Sequence, residues 1–152
     1  MGKIATNQSV SHLQKIFDCL GQFGGTIETK NPDNWWTLDL EVESADEKSK
    51  DIMIGIFESI NGDAIFDPQF NLTLKMKGNK IQEAEIHNCI NQTTFGITEV
   101  DSDDILYGFW GPEKSPTSLT DLFEGFMYNM AEDGPYLADP KKITKYDKTL
   151  SD

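Results

Sequence analysis

The chain has 152 residues and a formal net charge of −13, with 26 acidic side chains against 13 lysines and no arginine. That length fits one domain able to bury about 68–70% of its unfolded surface, and 38% apolar residues with sixteen aromatics exclude a disordered chain. The acid is concentrated: residues 33–67 hold ten Asp or Glu against Lys48 and Lys50, and residues 99–139 hold ten against Lys114 alone, a field that attracts basic partners and repels phosphates.

At the start of the chain, Gly2 and Thr6 satisfy the loose spacing of an acylation signal, and a plain start explains them equally well. Residues 1–8 and 147–152 are expected to be flexible, flanking a single domain over 1–152. No apolar stretch precedes the first helix as a secretory leader would require, and no apolar run reaches the roughly 18–20 residues that cross a bilayer. The expected compartment is therefore the reducing cytoplasm, with no membrane partner and with Cys19 and Cys89 as small buried side chains.

Val10, Leu13, Ile16, Phe17 and Leu20 recur at helical spacing; Ser9 or Ser11 can cap the start, and Gly21, Gly24 and Gly25 close the helix. Residues 26–30 read as a short strand before the Asn31-Pro32-Asp33 turn. Trp36, Leu38, Leu40 and Val42 alternate with Trp35, Thr37, Asp39 and Glu41, which predicts a half-buried strand with a charged outer face. The polar stretch 43–51 reads as a solvated loop, and 52–60, apolar on both faces, as a central strand. Asn61-Gly62-Asp63 marks a tight turn. Beyond it Phe70, Leu72, Leu74 and Met76 alternate with Asn71, Thr73, Lys75 and Lys77. After the Lys77-Gly78-Asn79 turn, Ala84, Ile86 and Ile90 face inward while Glu83, Glu85 and His87 face out, and Phe95 and Ile97 predict one more strand. Ser118 and Asp121 read as a capping box for a helix carrying Leu119, Leu122, Phe123, Phe126, Met127 and Met130, which Gly134-Pro135 stops. From Tyr136 the chain is expected to be irregular. The sum is an α+β fold: an antiparallel sheet of about five strands in a meander, with an N-terminal and a C-terminal helix packed on one face.

Candidate chemistry is sparse. The run Glu99-Val-Asp101-Ser-Asp103-Asp104 is the densest carboxylate cluster, but counted from Asp101 an EF-hand needs an acid or Asn where Ile105 stands, Gly where Leu106 stands and Glu where Pro112 stands. A solvated loop with no metal is expected. Glu85, His87 and Cys89 would share one face of a strand, with His87 and Cys89 about 7 Å apart, too far for a nucleophile–base hydrogen bond; no catalytic residue is expected. No Gly-rich loop precedes a helix and no arginine fork exists, so neither a nucleotide cofactor nor direct nucleic-acid binding is expected, and Lys75, Lys77 and Lys80 read as a solubilising turn. Trp35 beside Asp39 and Glu41, and Trp110 near Asp101, Asp103 and Asp104, pair flat aromatic area with negative charge, as a surface for a Lys/Arg-rich protein requires. Those seven residues form the candidate partner-binding set; the alternative is that a second layer, residues 136–146, covers the aromatics.

The order helix, Gly-Gly, strand, apolar strand, then Glu58-Ser-Ile-Asn-Gly-Asp63 and Asp67-Pro68 leading into an alternating strand, resembles a family of small uncharacterised α+β domains found on phages, plasmids and other mobile elements of bacteria. The resemblance covers about residues 10–90. It implies an accessory protein rather than a metabolic enzyme, and carries over no functional residue. The expectation is a non-enzymatic acidic binding protein that inhibits a basic nucleic-acid-handling protein, as a DNA mimic, anti-defence factor or immunity protein. Two alternatives stand beside it: a structural or regulatory domain whose acidity serves solubility, and a metal-dependent hydrolase.

Overall fold

The computed structural model describes residues 3–28, 36–60, 63–93, 96–101, 106–107, 116–117, 119–132 and 143–149. Helix α1 (Asn7–Leu20) starts at Thr6, whose side chain accepts from the Ser9 amide at 3.1 Å. Thr6 rather than Ser9 or Ser11 is therefore the cap, and Ser9 lies buried one turn inside. Gly21 ends the helix at φ 93°, its amide donating to the Phe17 carbonyl at 2.8 Å, a backbone geometry that favours glycine. Helix α2 (Leu119–Glu132) buries the six apolar residues that its periodicity singles out.

Between the helices runs the expected meander. Strands β2 (Gly24–Glu28), β3 (Trp36–Ala45), β4 (Ser49–Ile60), β5 (Asp63–Lys77) and β6 (Lys80–Thr93) pair antiparallel, each with the next. Three further strands extend this sheet among the described residues. Strand β1 (Lys3–Ile4) and strand β7 (Gly96–Asp101) share the outer edge of β6 end to end, β1 opposite Glu85 and Ile86, β7 opposite Asn88 to Thr93. On the far side β10 (Ile143–Lys145) pairs with β2. A separate two-stranded ribbon joins β8 (Leu106–Tyr107) to β9 (Pro116–Thr117).

The fold is thus α+β and antiparallel, with more strands than the five expected. The predicted loop 43–51 contracts to a tight hairpin in which Asp46 Oδ1 accepts from the amides of Lys48 and Ser49, both at 2.8 Å. Those two bonds, the Lys48 amide foremost, hold the Asp46 carboxyl below its ordinary range. The start of the chain is tied to the sheet from residue 3, and Ala5 is buried with its amide on the Ala84 carbonyl.

One face of the sheet carries the core. Leu40, Ile54, Phe70 and Cys89 sit opposite one another across four strands, and Val42, Ile52, Leu72 and Ile86 form the next row. Both helices close over these rows in one cluster. Phe70 packs its ring 5.1 Å from Phe123, edge to face, and 5.3 Å from Phe126. Gly24 lets β2 approach β3, since a Cβ there would lie 2.0 Å from the Leu40 carbonyl oxygen, and Gly25 lets β10 approach β2, since a Cβ there would lie 2.1 Å from that of Thr144.

Candidate functional site

Strand register places mostly polar and charged positions on the sheet face opposite the helices, with Ile90, expected inward, among them. One row runs Thr26, Asp39, Gly55, Gln69, Ile90, Glu99; the next runs Glu41, Met53, Asn71, Asn88, Asp101; the third runs Ser44, Asp51, Thr73, Glu85. Glu41 and the Asp101 register position therefore end the same row, four strand spacings or roughly 19 Å apart. Trp35, Asp103, Asp104 and Trp110 lie outside the described residues, so of the seven candidates Asp39, Glu41 and Asp101 can be placed.

Asp39 departs from the expected charged outer face. It projects from that face but is only 3% exposed, and the Tyr146 hydroxyl donates to its Oδ1 at 2.5 Å. The segment after β10 brings Tyr146 there, anchored by the Tyr146 amide on the Gly24 carbonyl at 3.0 Å. Burial pushes the Asp39 carboxyl up to about 7; the neighbouring Glu41 adds to the rise, while the tyrosine hydrogen bond opposes it. Burial and Asp39 together push the Tyr146 hydroxyl upward, so it remains a donor. Beside this pair, Phe23, Glu41, Val42, Tyr146, Asp147, Lys148 and Thr149 line a cleft of about 330 Å³.

In the third row the side chains form a chain across four strands. Ser44 Oγ donates to Asp51 Oδ2 at 3.1 Å, and Thr73 Oγ1 donates to Asp51 Oδ1 at 2.7 Å. Thr73 has one hydroxyl proton and the aspartate takes it. His87 Nε2, 2.7 Å from the same oxygen, must then be the donor, which assigns the ring its Nε2–H form. His87 Nδ1 faces Glu85 Oε1 at 3.9 Å. In this arrangement the Thr73 hydroxyl donates to Asp51 and accepts from His87.

Glu85, His87 and Cys89 do not share a face. His87 is the extra residue of a β-bulge, since Leu72 pairs with Ile86 and Asn71 with Asn88. The bulge reverses the alternation, so Cys89 is buried in the core while His87 is exposed. Among the described residues no three His, Cys, Asp or Glu side chains form a group that could hold a metal ion. Among them, too, no helix is long and apolar enough to cross a membrane.

The described lysines divide between the two faces, Lys50 on the helix side and Lys75 on the outer one. Lys50 projects to the helix side, its Nζ 2.8 Å from the Gln22 carbonyl and 4.8 Å from the Phe17 ring centre, and burial lowers its pKa. Lys75 Nζ meets Glu83 Oε2 at 3.1 Å. Local signals could not have revealed Tyr146, because its partner lies 107 positions away. No family model matches the chain, and no curated protein or solved structure is similar to it.

Proposed function

We propose that this chain is a non-catalytic binding protein that presents the outer face of its sheet to a basic protein. The observation that carries this reading is the placement of Glu41, Asp51 and Glu85 on adjacent rows of one face while Lys50 is turned to the other. Hydrogen bonds from Ser44 and Thr73 fix the Asp51 carboxylate, so its charge is held in place before a partner arrives. Such a field steers a basic partner and speeds encounter, with an effect that fades as salt rises. The target class we infer is a nucleic-acid-handling protein, because a basic stripe is the general footprint of such proteins. The narrower role we infer from the concentrated acid is that of an inhibitor acting in the cytoplasm; the resemblance to mobile-element domains suggests only an accessory protein.

The test uses a purified core histone as a basic protein of known surface. Binding is expected at low salt, to weaken with added salt, and to drop several-fold in an Asp51→Asn, Glu85→Gln double variant whose melting temperature is unchanged. Absence of binding by the unaltered chain at low salt, or undiminished binding by the double variant, overturns the reading.

A further inference from the structure

We propose that the cleft between β3 and residues 146–149 receives a single basic side chain of the partner, and that its entry is coupled to release of a proton from Asp39. This rests on the acidic-face reading and names the subsite that reading lacks. The cleft, about 330 Å³, lies at the small end of the roughly 300–1,000 Å³ of ligand pockets, which suits one side chain rather than a cofactor. Its lining brings the half-buried Phe23, which can cover a methylene stem, together with Glu41 and Asp147, whose carboxylates can meet a cationic head. Lys148 at the rim is the one cation of the lining, and it is solvent-exposed.

The coupling follows from what surrounds Asp39. On its own strand the charged neighbour is Glu41. From β2 it faces Thr26 and from β4 it faces Gly55, neither of which titrates. From the segment after β10 come Tyr146, which holds its proton, and then Asp147 and Lys148. The site is thus two adjoining carboxyl groups without a cation between strands, and the buried one retains a proton up to about pH 7. Burial does most to keep Asp39 protonated, and a cation seated at Glu41 removes the like-charge repulsion that adds to it while attracting the Asp39 carboxylate directly. The proton then passes to solvent, and the Tyr146 hydroxyl donates to the carboxylate left behind.

The probe is a fluorescently labelled oligolysine peptide, followed by anisotropy at low salt. Affinity for the unaltered chain is expected to rise roughly three- to tenfold between about pH 6 and about pH 8, as release of one proton requires. Glu41→Gln is expected to weaken binding several-fold, and Asp39→Asn, which keeps an acceptor for Tyr146, to abolish the pH slope. Full affinity in Glu41→Gln overturns the cleft proposal. So does an unchanged slope in Asp39→Asn, which would assign the proton release to another group. If binding survives Glu41→Gln but fails in Asp51→Asn, Glu85→Gln, the acidic face stands and the cleft does not. If the unaltered chain does not bind the peptide at all, both fall.

Discussion

Asp39 sits where strand alternation places a solvated acid, yet folding takes it out of water and sets it beside Glu41 and beneath Tyr146. Its carboxyl rises from the ordinary 3.8 to about 7, so between those values the folded chain holds a proton that the unfolded chain has lost. The sign follows directly: this group's contribution to stability is full below about pH 4 and is lost as pH climbs through about 7. Three pK units correspond to about 4 kcal/mol as an upper bound. Urea unfolding of the unaltered chain and of Asp39→Asn across that range is the check. The difference between the two curves is expected to shrink the advantage of the unaltered chain toward higher pH, and parallel curves would show that Asp39 ionises freely when folded.

At the scale of elements, β10 depends on a close approach that only glycine permits. Gly25→Ala is expected to destabilise the fold by about 1–3 kcal/mol, the range for overpacking at a site with no room. Hydrogen exchange should show the loss first in residues 143–149, where the Thr144 carbonyl would have to withdraw. This strand also marks where sequence reading stops. The five-strand meander and both helices are legible because each spans several periods of its pattern, from Leu38 to Val42 in β3 and from Leu119 to Met130 in α2. Strands β1 and β10 have two and three residues, too few to show any period, and their partners lie far along the chain. The bulge at His87 was equally hidden, since one inserted residue leaves the apolar positions of β6 looking continuous while reversing the face of Cys89. For the site, the acidity of β3 and β4 was plain from composition. Which carboxylates stay in water was not, because Tyr146 removes Asp39 from it through a contact 107 positions away.

For the whole molecule, both helices and the sheet meet in one apolar cluster with Phe70 against Phe123 and Phe126. Phe70→Ala removes the side chain on which α2 rests and is expected to cost about 3–5 kcal/mol. Natural domains hold only about 5–15 kcal/mol in total, so the variant should melt far below the unaltered chain and lose helix and sheet signals together. Separate transitions in circular dichroism for helix and sheet would show instead that α2 is an appendage. The same architecture bears on how the polypeptide matures at the ribosome. Successive hairpins from β2 to β6 can zip up as they emerge, whereas Asp39 stays hydrated and ionised until a tyrosine 107 positions later has been synthesised. The nascent protein therefore carries its acidic strand fully charged, and acquires the proton-holding carboxyl only as residues 146–149 dock beside β3.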